Sequence, residues 1–168
     1  MVSPFNRSIN STTVFMGDSI TAYWSLPDHN AGIPGQTTDQ MLDRFASVVL
    51  GHDYKRVVIL GGTNDTRLDS FVASEVIENL SEMTMIAQSA SIEVILCTVL
   101  PNFSEVRSEE RVVDLNQQII ALAGAKGLIL VDYFCVLAGR PDYFIDGVHP
   151  NKSGYAAMEN ELGAKVTQ

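Results

Sequence analysis

The chain of 168 residues is short of positive charge, of cysteine and of long apolar runs. Eleven Lys and Arg stand against twenty Asp and Glu, a formal net charge of −9. Such a surface repels phosphate backbones and anionic membranes, so nucleic acid is not an expected partner. Only two cysteines occur, Cys97 and Cys135, far apart in sequence, and Cys97 falls in the apolar run Ile92 to Leu100. Both are read as buried thiols and not as a disulfide. No apolar run approaches the roughly 20 residues of a membrane-spanning helix. The opening MVSPFNRSINSTT lacks the apolar stretch of a secretory leader, so the cytoplasm is the expected compartment. Signals for bound groups are also missing. The glycine-rich Gly61-Gly62-Thr63-Asn64-Asp65 lacks the Gly-Lys-Ser/Thr ending of a phosphate loop and has no G-x-G-x-x-G pattern. His29 and His52 sit in segments without ligand spacing. Neither a cofactor nor a metal is expected.

What is present is a good core. With 46% hydrophobic residues, the chain can bury enough apolar surface for one domain over residues 1–168. Thr13 to Met16, Arg56 to Leu60, Ile92 to Val99 and Leu128 to Val131 are short runs ended by turn formers, as strands buried on both faces are. Between them, Val72, Val76, Leu80, Met83 and Ala87 make one apolar stripe, and Val112, Leu115, Ile119 and Leu122 make another. Another helix is expected near Thr37, with Gln40 completing a capping box, and a last one from about Ser153. Met83 and Met85 are read as core filler. The alternation of strand and helix implies an α/β fold of three layers, α/β/α, with about five parallel strands joined by right-handed crossovers.

Ligands of such sheets bind beyond the carboxyl ends of the strands, so those ends hold the candidates. The first is Gly17-Asp18-Ser19, where a strand stops and a helix can start. Ser19 is therefore either a helix cap or a nucleophile. Asn30 to Gly35 is a turn-rich segment, Gly61 to Asp65 follows a strand, and Asp146-Gly147-Val148-His149-Pro150-Asn151 comes late in the chain. Taken singly, each is ordinary turn chemistry.

Taken together, Gly17-Asp18-Ser19-Ile20, Gly35, Gly62-x-Asn64-Asp65 and Asp146-x-x-His149 resemble, in order, the four blocks of the SGNH hydrolases, the GDSL esterase and lipase family. The resemblance runs from about Val14 to the C-terminal helix, and departs only in Ile20, where the family name has Leu, and in the shortness of the chain. It implies a flavodoxin-like fold, a serine esterase working through an acyl-enzyme, and no cofactor. Ser19 would be the nucleophile, His149 its base and Asp146 the carboxylate that orients the ring. The oxyanion would meet the backbone N–H groups of Ser19 and Gly35 and the side-chain amide of Asn64. Gly35 suits that task because, without Cβ, it lets a substrate oxygen approach the backbone. Asp18 and Asp65 brace the loops. Short acyl groups, such as acetyl on a carbohydrate, are expected because none of the stretches Tyr23 to Gln36, Asn102 to Glu109 and Cys135 to Asp146 carries an amphipathic lid helix. A thioesterase or lysophospholipase acting on longer chains is the alternative enzyme. A flavodoxin-like binding module without catalysis is the alternative outside enzymes. Tyr143 and Phe144 are read as surface residues.

Overall fold

The computed structural model describes residues 5, 7–105 and 108–166; residues 1–4 and 6 of the leader reading, and two residues of the Asn102 to Glu109 stretch, lie outside these. In chain order the elements are α1 (Arg7–Asn10), β1 (Thr13–Gly17), α2 (Ser19–Ala22), β2 (His29–Gly32), α3 (Thr38–Val49), β3 (Arg56–Leu60), α4 (Ala73–Ser89), β4 (Glu93–Cys97), α5 (Glu109–Lys126), β5 (Ile129–Val131), α6 (Tyr133–Leu137) and α7 (Lys152–Val166). Single 3₁₀ turns lie at Asp65–Arg67 and Pro141–Tyr143. The five strands form one parallel sheet in the order β2-β1-β3-β4-β5, the flavodoxin-like order.

The strand period of two divides each apolar run between two cores. Val14 and Met16 of β1, Val57 and Ile59 of β3, and Val94 and Leu96 of β4 pack with Met41, Phe45, Leu80, Met83, Leu115 and Ile119 of α3, α4 and α5. Their neighbours Phe15, Val58, Ile95 and Cys97 face the other way, onto Ile20, Trp24, Tyr133, Leu137, Met158 and Leu162. Each fully buried Leu or Phe of this kind contributes about 1.5–3 kcal/mol by leaving water.

Several expectations are corrected. β2 was read as a turn-rich segment; it is an edge strand whose His-Asn-Ala-Gly sequence has no apolar run because it is only half-buried. Its Asn30 side chain donates to the Thr21 and Trp24 carbonyls at 2.8 and 3.2 Å, tying the edge to α2. Val72 precedes α4 and is exposed, and Met85 is 52% exposed because it falls on the solvent side of the stripe that buries Met83. Cys97 is buried but Cys135 is exposed, on the outer side of α6. Phe144 is buried, edge-on to Phe103, while the half-buried Tyr143 lies under the Arg140 guanidinium, 3.6 Å from its ring centre. The capping expectation at Thr37 holds, its N–H donating to Gln40 Oε1 at 3.1 Å.

One buried polar residue pins α5 to the end of the sheet. Asn116 accepts from Val99 N–H at 2.7 Å and donates to Val99 C=O at 2.8 Å, serving both orphan groups just past β4. Asn116→Ala should therefore lower the unfolding free energy by about 2–4 kcal/mol, the cost of leaving two buried backbone groups unserved. Urea unfolding measures it, and a loss under about 1 kcal/mol would show that the loop finds other partners.

Candidate active site

β1 delivers the first site residue through a tight turn. A Cβ on Gly17 would stand 2.1 Å from Thr21 Oγ1 and 2.8 Å from the Leu60 carbonyl, so only glycine lets α2 fold back against β3 here. Asp18, fully buried, caps α2 by accepting from Ile20 N–H at 2.9 Å. The cap that the sequence allowed to Ser19 thus belongs to Asp18. Ser19 is the first residue of the one-turn helix, and its hydroxyl is turned to another element: Oγ lies 2.9 Å from His149 Nε2. Tyr155 of α7 secures this turn by donating its hydroxyl to the Ile20 carbonyl at 2.7 Å.

His149 arrives on a loop that its own aspartate organises. Asp146 Oδ1 accepts from the N–H groups of Val148 and His149 at 3.0 and 2.8 Å, and Oδ2 lies 2.6 Å from His149 Nδ1. Gly147, at φ +81°, packs against the backbone of Phe103 and Ser104, where a Cβ would come within 2.7 Å of a backbone carbon. A carboxylate can only accept, so Nδ1 carries hydrogen, and Nε2 of the neutral ring accepts from the Ser19 hydroxyl. Partial burial alone would raise the Asp146 pKa, but the bonds from the His149 backbone, the His149 ring and Val148 outweigh it and hold the carboxyl at about 2. The exposed Tyr23 ring stands beside the imidazole, centroids 5.7 Å apart.

Asn64 follows β3 and is buried. Its Nδ2 donates to the Gln36 carbonyl at 2.9 Å and lies 3.5 Å from Asp18 Oδ2, which is beyond the usual 2.7–3.2 Å of an N–H···O bond. Gly35, one residue before Gln36, takes φ +81° and has no heavy atom within 4 Å of where a Cβ would stand, so its outer face is open. Among the described residues, no carbonyl accepts from the N–H of Ser19 or Gly35. Asp65 accepts from Thr38 N–H at 3.1 Å and from its hydroxyl at 2.6 Å, bracing the start of α3; burial pushes its carboxyl up, and the Thr38 bonds oppose this.

The structure therefore brings Ser19, His149 and Asp146 into one hydrogen-bonded row, and ties Asn64 to the loop that carries Gly35. Sequence reasoning missed Tyr23, Gln36 and Tyr155, since a side chain that bonds a carbonyl across 135 residues leaves no spacing signal. Beside the row is a narrow cavity of about 10 Å³ lined by Ile20, Thr63, Thr66, Leu100, Asn102 and Val148, among others. Its wall includes the chain neighbours of Ser19, Asn64 and His149. Among the described residues, no three His, Cys, Asp or Glu side chains form a group that could hold a metal ion.

Over residues 15–157 the chain matches the GDSL-like Lipase/Acylhydrolase family. None of the curated proteins matches it. Among solved structures, a GDSL-like lipase from Bacteroides thetaiotaomicron is 31% identical, with 95% of this chain and 89% of that one covered and a TM-score of 0.85. The lipase/acylhydrolase from Enterococcus faecalis is 28% identical, with 92% and 94% covered and a TM-score of 0.80. The acetyl xylan esterase AlAXEase shares the fold at 20% identity, with 92% and 98% covered and a TM-score of 0.78.

The depressed Asp146 carboxyl has a measurable sign. Its contribution to stability is present above its ordinary pKa of 3.8 and is lost as pH falls through about 2. Carboxyl NMR should find a midpoint near 2, rising in His149→Ala yet staying below 3.8, because two backbone N–H donors remain. A midpoint at 3.8 or above in the unaltered protein would contradict the geometry.

Proposed function

The chain belongs to the GDSL-like lipase/acylhydrolase family of ester-hydrolysing enzymes, and we propose that it uses Ser19 as the nucleophile to cleave short-chain acyl esters such as acetylated carbohydrates. The observation that carries this reading is the row Ser19 Oγ, His149 Nε2, His149 Nδ1, Asp146 Oδ2, closed at 2.9 and 2.6 Å. As Ser19 Oγ attacks the ester carbonyl carbon, its proton passes to Nε2, and Asp146 stabilises the imidazolium that forms. The carbonyl oxygen becomes an oxyanion, which accepts from the N–H groups of Ser19 and Gly35 and from Asn64 Nδ2. The Asn64 amide hydrogen not given to Gln36, with Nδ2 as far as 3.5 Å from Asp18 Oδ2, is the one left for it. Collapse breaks the bond to the alcohol, whose oxygen takes the proton from Nε2. Water then repeats the sequence on the acyl-enzyme, giving up its proton to His149 and releasing the carboxylic acid. No bound group is required for any step.

The short-acyl preference rests on the cavity wall. About 10 Å³ is roughly what one water-sized group needs, so this space, walled by chain neighbours of Ser19, Asn64 and His149, offers no groove for a chain. A longer acyl tail gains about 0.8 kcal/mol per methylene only where a groove receives it. The stretch Cys135 to Asp146 carries no lid either: it holds the end of α6, whose Leu137 is buried in the core, and one 3₁₀ turn.

Across p-nitrophenyl esters from acetate to dodecanoate, kcat/KM should peak at two to four acyl carbons. A maximum at eight carbons or more would favour the thioesterase or lysophospholipase reading. Asn64→Ala should lower kcat by roughly a hundred- to a thousandfold with KM little changed, as expected of a donor to transition-state charge. A large rise in KM with kcat preserved would make Asn64 a substrate-binding residue instead.

A further inference from the structure

The Gly35 loop is an exposed turn, yet the oxyanion reading asks it to hold a backbone donor in a fixed place. Two backbone bonds hold it: Ile33 N–H donates across to the Gly17 carbonyl at the end of β1 at 3.0 Å, and Gln36 N–H donates within the loop to the Ile33 carbonyl at 3.4 Å. One long side chain reaches it from α3. Arg44 Nε donates to Gln36 Oε1 at 2.7 Å, while its NH2 nitrogen donates to the carbonyls of Ala31 and Gly17 at 2.8 and 3.2 Å. The half-buried guanidinium thus joins three backbone segments: the end of β1 just before Asp18 and Ser19, the end of β2, and the loop of Gly35 and Gln36. Gln36 is the hub, its side chain bound to Arg44 and its main-chain carbonyl to Asn64 Nδ2 at 2.9 Å.

Resting on the reading of Ser19, Gly35 and Asn64 given above, we infer that Arg44 is a positioning residue for the oxyanion donors. It touches neither substrate nor the reacting atoms. It fixes Gln36, and Gln36 fixes both the direction of the preceding Gly35 peptide and the plane of the Asn64 amide. The planar fork suits the task because two of its nitrogens serve different acceptors at once, and its charge persists at any working pH. Lysine puts its three donors on a single nitrogen and so lacks the fork's fixed separation between the donor to Gln36 and the donor to the two carbonyls.

Steady-state kinetics on p-nitrophenyl acetate test this with Arg44→Met, Arg44→Lys and Gln36→Leu, each alone and combined with Asn64→Ala. Because misplacing a donor by about 1 Å costs up to roughly a hundredfold, Arg44→Met should lower kcat about 10- to 100-fold with KM nearly unchanged. Arg44→Lys should not restore it. In the Asn64→Ala background the same change should cost less than about threefold more, since coupled residues fail to add. Gln36→Leu leaves Arg44 on its two carbonyls and cuts only the link to the loop, so it should show the same non-additivity even if Arg44→Met weakens the fold. Unchanged kcat in Gln36→Leu, full additivity with Asn64→Ala, or a loss confined to KM would each overturn the inference while leaving the esterase reading intact. An unaltered protein that cleaves no ester overturns both.

Discussion

Parallel pairing at one residue, Gly17, governs the rest of the molecule. Gly17 lies in register with Gly32 of β2 on one side and Leu60 of β3 on the other. Because all three strands run the same way, their outgoing loops leave at one edge. Those loops carry Ser19, Gly35 and Asn64. Gly17 also has no room for a side chain, since Thr21 and the Leu60 carbonyl fill the place where a Cβ would be. The position that aligns the loops is thus also the one that turns the chain sharply enough to start α2. Everything else in the site is brought to that edge: His149 on its Asp146-organised loop, Arg44 from α3 and Tyr155 from α7.

The site shows two ways of fixing a polar group. Asp146 is more than half exposed as a side chain, yet three donors hold it, so its order comes from local hydrogen bonds within four residues. Asp18 and Asp65 are buried and spend their carboxylates on backbone N–H groups at the starts of α2 and α3. Two of these three aspartates near one edge are thus braces, and the third faces an imidazole whose other nitrogen lies against the Ser19 hydroxyl.

Most of the fold was legible because buried parallel strands must be apolar on both faces; Arg56 to Leu60 coincides with β3, and the stripe from Val76 to Ala87 is the buried face of α4. β2 was not legible, since an edge strand held partly by the side chain of Asn30 needs no apolar run. Met85 and Phe144 were misplaced for a related reason: a residue type gives its preference for burial, while its side of the helix or loop decides the outcome. The residues proposed to act were visible as four blocks in order. Their supports, Arg44, Gln36 and Tyr155, were invisible because each acts through a backbone carbonyl or an amide whose position only the fold creates. The hydroxyl of Ser19 was ambiguous in sequence because a cap and a nucleophile occupy the same junction, and Asp18 removes the ambiguity by taking the cap.

The central claim is that the His149 ring, held by Asp146, makes Ser19 a nucleophile. Reaction with a fluorophosphonate probe, followed by peptide mapping, tests it most directly. The account predicts a single adduct on Ser19, abolished in Ser19→Ala and slowed severely in His149→Ala. Absence of an adduct at Ser19, or labelling that proceeds unchanged without His149, would contradict it.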